Sequence, residues 1–268
     1  MSRLSASSPR WPLPAADDWS TPFAELLLEQ LDLRPGLTIL DIACGHGIPA
    51  FYLAEQVGPT GSVLGLDVSR GQVANARTVQ RGELPWLRFD CVDVRALPAS
   101  LPAFQRITGN LSVMFLRPHR FEAMRGLIEH LEPGGQIVLT FPSLGTFDSI
   151  WQRIDREMSR HRLTIERERL AAHVAERPSA AEARGWLERL KMERITVIER
   201  PLVVESGSGQ RFLQHPLLRG GFLDDAYECF DDARLADTVM TSVAADMESM
   251  IPLTARRCAL SGWKAGQV

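Results

Sequence analysis

The stretch LTILDIACGHGIPAFY, residues 37–52, restricts the possible folds more than any other part of the chain. It opens with an apolar run, Leu37, Ile39, Leu40 and Ile42, interrupted by a single acid at Asp41. Two glycines follow, Gly45 and Gly47, and then a helix-like segment over 48–56. A buried strand that turns through glycines into a helix gathers backbone N–H groups and the positive end of the helix at the carboxyl edge of a sheet. Open α/β sheets bind nucleotides at that edge. Glycine suits the turn because a side chain would hold the ligand off the backbone.

Two ligands compete for this turn. GHGIPA fits the dinucleotide fingerprint G-x-G-x-x-A, and Asp67 lies twenty residues beyond Gly47, where a ribose-binding acid belongs. Asp41 tips the choice toward the second ligand. Four residues before the first glycine, it stands at the end of the strand, where a pyrophosphate would meet a like charge. S-adenosylmethionine has no phosphate and carries an ammonium and a sulfonium, so an acid there favours it.

LDIACGHG resembles the glycine-rich first motif of the class I S-adenosylmethionine-dependent methyltransferases, and among them the small-molecule enzymes related to the quinone and malonyl-carrier-protein methyltransferases. The resemblance covers residues 35–141. It implies an α/β, Rossmann-like doubly wound sheet of seven mostly parallel strands with an antiparallel last strand, plus a small helical cap. It also implies S-adenosylmethionine as cofactor and methyl transfer to a small-molecule acceptor.

The rest of the chain is read against that expectation. Residues 1–34 form an N-terminal tail and a lid helix over 23–33, with Trp11 and Trp19 as lid or packing residues. Residues 35–141 are the cofactor-binding core, 142–178 an inserted helical cap, and 179–268 the end of the sheet with a substrate-side insertion at about 206–250. Strands are expected at 62–66, 87–92, 104–109, 136–141, 193–204 and 255–263. Helices are expected at 70–80, 117–131, 147–160, 164–174, 179–190 and 231–247. The turn LEPGG before the fifth strand is a further marker that the family shares, whereas Gln105 stands where the family commonly has an acid.

The candidate cofactor site consists of Asp41, Ala43, Gly45, Gly47, Asp67, Val68, Gln72, Asp93, Val94 and Asn110. Asp67, at the tip of the second strand, can accept both ribose hydroxyls, while Ser69 is better placed to cap the next helix. The resemblance gives the remaining roles. Val68 and Gln72 pack against adenosine; Asp93 accepts from the adenine amino group, and Val94 donates its backbone N–H to a ring nitrogen. The carbonyl of Asn110 holds the methionine ammonium. Asn110-Leu111-Ser112 is not the N-P-P-Y or D-P-P-Y pattern that clamps a planar amino group, which counts against base or glutamine methylation.

Methyl transfer from a sulfonium is an in-line displacement that positioning and desolvation can accelerate. A general base of near-neutral pKa can assist. His46, between the motif glycines, is the candidate base or acceptor-orienting group, or else a plain loop residue. His215 and Tyr227, before the last strand, are candidate substrate contacts. His119, His130, His161 and His173 lie on charged helices or a helix start and are read as solvated or structural. Phe147, Ile150, Trp151 and Ile154 either line an acceptor pocket or pack onto the sheet.

The net charge of −3, with no basic block, disfavours nucleic-acid partners. Cys44, Cys91, Cys229 and Cys258 have no metal-binding or redox spacing and are read as reduced thiols; no metal is expected. No apolar run is long enough to span a bilayer. A cytoplasmic monomer or small homo-oligomer, with no membrane association, is the expectation. Two alternatives stay open: an NAD-dependent dehydrogenase, and a protein that binds S-adenosylmethionine without transferring its methyl group.

Overall fold

The computed structural model describes residues 19–204 and 226–266. Trp11 and His215 lie outside these residues. The strands are β1 (Thr38–Ile42), β2 (Ser62–Asp67), β3 (Leu87–Cys91), β4 (Phe104–Gly109), β5 (Leu131–Pro142), β6 (Glu193–Val204) and β7 (Leu253–Trp263). The helices are α1 (Ser20–Gln30), α2 (Ala50–Val57), α3 (Arg70–Gln80), α4 (Arg120–Glu129), α5 (Asp148–Arg160), α6 (Thr164–Ala175), α7 (Ala180–Arg189) and α8 (Ala233–Met250).

The seven strands form one sheet in the order β3-β2-β1-β4-β5-β7-β6, mostly parallel with the last strand antiparallel. Pairing between β1 and β2, β1 and β4, β2 and β3, and β4 and β5 is parallel. The order reverses at β1, which therefore lies at the switch point where open α/β sheets bind ligands.

Alternation along the strands sends side chains to two apolar layers. Ile39, Val63, Phe89 and Val138 join residues of α1, α2 and α3 in one layer. Leu40, Ile42, Ile107 and Leu139 join residues of α4 and α7 in the other. Asp41 and Thr108 pair across β1 and β4, so both face the α1 side.

β5 begins five residues earlier than the sequence suggests. Phe104 pairs with Leu131 and Arg106 with Gln136, so the LEPGG turn is an irregularity inside the strand rather than a break before it. β7 stabilises this irregularity: Gly134 N donates to Lys264 O, and Lys264 N donates to Gly135 O. Two residues of β5 thus face Lys264, the residue that follows β7, a β-bulge. Gln105, the departure from the family pattern, accepts from Thr38 N at 3.0 Å through its side-chain oxygen and donates its backbone N–H to Thr38 Oγ1 at 3.2 Å, fastening the start of β1 to β4.

The chain forms two compact units. The first comprises Met1–Phe141, Ala180–Arg200 and Arg257–Val268; the second comprises Pro142–Ser179 and Pro201–Arg256. In the second unit α5 packs against α6 and α8. Phe147, Ile150, Trp151 and Ile154 are all buried, and Trp151 is held by its indole N–H donating to Thr146 O at 3.1 Å and by the His173 ring at 5.7 Å. Their apolar surface is taken up in packing. All four cysteines are free, and burial pushes the Cys258 thiol up to about 12.

Candidate cofactor site

The turn after β1 is built from three residues with left-handed backbone: Ala43 (φ 49°), Gly45 (φ 52°) and Gly47 (φ 96°). The two glycines serve different ends. A Cβ on Gly47 would lie 2.5 Å from the Phe51 ring and 3.1 Å from Phe89, so Gly47 lets α2 seat against the sheet. A Cβ on Gly45 would meet nothing within 4 Å. A side chain at Gly45 would enter open space in front of the turn, whereas one at Gly47 would also collide with the packing of α2.

Behind this turn Asp41 is fully buried. Its Oδ1 accepts from Thr108 Oγ1 at 2.7 Å, and its Oδ2 has no hydrogen-bond partner among the described residues. Burial pushes the Asp41 carboxyl up to about 7, the Thr108 bond opposes the rise, and the charge of Asp67 adds to it. A buried carboxylate oxygen without a partner is costly. A bound cation would remove that cost.

One strand further along, Asn110 continues the polar file. Its amide donates to Ser20 O at 3.0 Å and its carbonyl accepts from Thr140 Oγ1 at 2.8 Å, and Thr140 Oγ1 accepts from Leu111 N at 2.9 Å. The side chain of Asn110 is thus occupied in tying the first turn of α1 to the tips of β4 and β5. Its backbone carbonyl is the atom that the family resemblance assigns to the ammonium. Trp19, the residue before α1, is buried against Phe23 with ring centroids 5.0 Å apart, which is a packing role.

Asp67 closes the second side. Its Oδ2 accepts from Gly45 N at 2.9 Å and its Oδ1 from Ser69 N at 2.8 Å. Each carboxylate oxygen retains acceptor capacity. The acid thus braces the glycine turn from the tip of β2. Ser69 caps α3, accepting from Gln72 N at 3.3 Å. Val68 is 68% exposed beside the acid, an apolar surface suited to a nucleoside, and Gln72 Oε1 is buried without a hydrogen-bond partner among the described residues.

At the end of β3, Asp93 is held by its neighbour. Oδ1 accepts from Arg95 N at 2.9 Å and from Arg95 Nε at 3.0 Å, and Oδ2 accepts from Arg95 Nη2 at 2.7 Å. That guanidinium holds the Asp93 carboxyl below the usual carboxylate range. Val94 turns its side chain into the α4 layer. Asp90, on β3 itself, is paired with Arg77 at 3.0 Å.

His46 is exposed on the glycine turn. Tyr227 lies in the second unit and is half-buried. Among the described residues no group of three His, Cys, Asp or Glu side chains could hold a metal ion, and no helix is long and apolar enough to cross a membrane. Sequence reasoning missed Thr108, Thr140 and Ser20, because each reaches the site through strand register or helix docking that no local pattern encodes.

Residues 39–135 match the family model described as a methyltransferase domain. Methyltransferase GfsG of Streptomyces halstedii is 31% identical over 201 residues, which cover 71% of this chain and 68% of that protein. The chain belongs to the class I S-adenosylmethionine-dependent methyltransferases. A second relative of this methyltransferase is the nocamycin O-methyltransferase of Saccharothrix syringae, 34% identical over 128 residues; the match covers 45% of this chain and 43% of the relative. The crystal structure of the (4+2)-cyclase SpnF shares the fold, with a TM-score of 0.59 and 19% identity over 96% of this chain and 86% of that one. The methyltransferase therefore takes S-adenosylmethionine as cofactor, and the residues around β1, β2 and β4 fit it: a buried acid with an unpartnered oxygen suited to a cation, a turn open at Gly45, and an exposed valine beside the acid that ends β2.

Proposed function

We propose that this methyltransferase carries a methyl group to a small-molecule acceptor by in-line displacement, with Asp41, Ala43, Gly45, Gly47, Asp67, Val68, Gln72, Asp93, Val94 and Asn110 forming the cofactor site. The observation that carries the reading is the unpartnered oxygen of the fully buried Asp41. A site for an anionic pyrophosphate would not place a titrating acid there. When bound, S-adenosylmethionine supplies a methyl group already activated on a sulfonium. Asp41 balances the positive methionine end, Asp67 directs its remaining lone pairs at the ribose hydroxyls, and Val68 covers the nucleoside. Asp93 reads the adenine amino group once Arg95 gives up part of its hold. Positioning supplies most of the rate. His46, exposed beside the turn, orients the acceptor or removes its proton.

The nocamycin enzyme is named as an O-methyltransferase, so an oxygen nucleophile is the first to test. Hydroxylated polyketide-like and quinol acceptors should yield S-adenosylhomocysteine with the wild type, and His46→Ala should lower kcat more than it raises KM. A second reading, cofactor binding without transfer, is supported by the shared fold of SpnF, a cyclase. Tight cofactor binding with no S-adenosylhomocysteine from any acceptor would favour that reading over ours.

A further inference from the structure

Building on the cofactor assignment, we infer that Arg257 receives the carboxylate of the cofactor's methionine tail, with its guanidinium set beside the position where Asn110 takes the ammonium.

Register places this residue. The mutual bonds of Lys264 with Gly134 and Gly135 set β7 against β5, and counting up the antiparallel pair puts Ala259 opposite Thr140. Opposite residues of an antiparallel pair share a face. Arg257, two residues on from Ala259, therefore shares the face of Thr140 and Gln136, which is the face covered by α1. The bond from Gln136 Nε2 to Gln30 O at 2.8 Å confirms the face at the far end of α1.

The first turn of α1 brings Arg257 and Asn110 together. Arg257 Nη1 donates to Pro22 O at 2.9 Å, and Asn110 donates to Ser20 O at 3.0 Å. Those carbonyls are two residues apart on one helix, roughly 3 Å along its axis. The Pro22 bond fixes one corner of the guanidinium. Its Nε is buried and has no hydrogen-bond partner among the described residues. Nε and the adjacent Nη2 form the edge that binds a carboxylate through two parallel bonds. An amino acid's ammonium and carboxylate sit on one carbon, so a tail that places the first on Asn110 brings the second to this edge.

The test compares S-adenosylhomocysteine with 5′-methylthioadenosine, the same nucleoside without the amino-acid tail, by calorimetric titration. Arg257→Gln should weaken S-adenosylhomocysteine at least tenfold and leave methylthioadenosine unchanged, and Arg257→Lys should recover part of the loss. Equal losses for both ligands, or no loss, would overturn the inference while leaving the cofactor site standing. Should the variants not fold, the wild type still decides: decarboxylated S-adenosylmethionine should bind at least tenfold more weakly than S-adenosylmethionine, and equal affinities would defeat the inference. A wild type that binds none of these nucleosides would bring down the cofactor assignment itself.

Discussion

The two compact units each bury a carboxylate, and they treat it in opposite ways. In the second unit Glu157 is 3% exposed. Arg153 and Arg160 both donate to it, Arg160 Nη1 at 2.6 Å, and Arg153 Nε reaches on to Asp246 at 2.8 Å. Although burial works against it, these guanidiniums hold the Glu157 carboxyl below the usual carboxylate range. In the first unit Asp41 is 0% exposed, has one hydroxyl donor, and is pushed up to about 7. The lesson is that burial alone does not mark a site. A buried acid whose partners come from its own fold is architecture; one left short of a partner is waiting for something the fold does not contain.

The comparison breaks most sharply at the nucleoside end. Asp67→Ala removes the proposed ribose acceptor and the brace on Gly45 together, and S-adenosylhomocysteine affinity should fall by about two orders of magnitude or more, as two charge-assisted bonds of about 1.5–3 kcal/mol each would require. Calorimetry with the variant reads this directly, and unchanged affinity would remove Asp67 from the site.

Asp41→Asn comes next, and it separates the two acids. S-adenosylmethionine affinity should fall on the order of tenfold to a hundredfold, since one interaction with a charged group is lost. A dehydrogenase site would gain affinity for NAD or keep it. The wild type should bind S-adenosylmethionine more tightly as pH rises from 6 to 8, because ionised Asp41 is the form that attracts a cation, and Asp41→Asn should flatten that profile.

Stability should move the other way. Asp41 keeps its proton in the folded chain up to about 7, whereas the unfolded chain loses it near the ordinary value of 3.8. Its contribution is fully present below the lower pH and is lost as pH climbs through the upper one, a difference on the order of 4 kcal/mol. Asp41→Asn should therefore raise the denaturation midpoint of the ligand-free protein at pH 8. Glu157 has the opposite sign: its stabilisation is present above the unfolded value and lost as pH falls. Glu157→Gln should cost on the order of 2 kcal/mol, between the values for a buried and an exposed pair, with cofactor affinity unchanged. If Glu157→Gln weakened the cofactor instead, the contrast between the acids would not hold.

The smallest effect is expected at Arg95. Its pair with Asp93 is exposed on both sides and, in the proposed site, would compete with adenine for the same oxygens. Arg95→Ala should tighten S-adenosylhomocysteine about two- to fivefold at low salt, in line with the small worth of exposed pairs, and less at high salt. Weaker binding would show that the guanidinium contacts the ligand rather than guarding its acid.

Local signals carried much of this in the sequence. The glycine turn, Asp67 and the Ser69 cap are set by residues within a few positions of one another, and α3, β4 and β6 have the bounds that periodicity suggests. β5 escaped, because proline and glycines mark a turn locally while β7 holds them in the sheet. Thr108 and Thr140 read as ordinary strand residues until register sets them beside Asp41 and Asn110. The four apolar residues of 147–154 read equally as pocket or packing, and burial among their own helices decided for packing.

Gln136 links three distant parts of the first unit. It donates to Gln30 O at 2.8 Å and to Ser261 Oγ at 2.9 Å, and accepts from Asp32 N at 2.9 Å. The bond to Asp32 closes a separation of 104 residues and that to Ser261 one of 125. The bond to Ser261 requires β5 and β7 to have come together, whereas those to Gln30 and Asp32 require only α1 and β5. Because its partner lies 104 residues away, the Asp32 amide should gain protection from hydrogen exchange during refolding after the amides inside α1. The other end of α1 is tied to Arg257 of β7, 235 residues away, so the helix is fastened at both ends by partners that reach it only through the sheet.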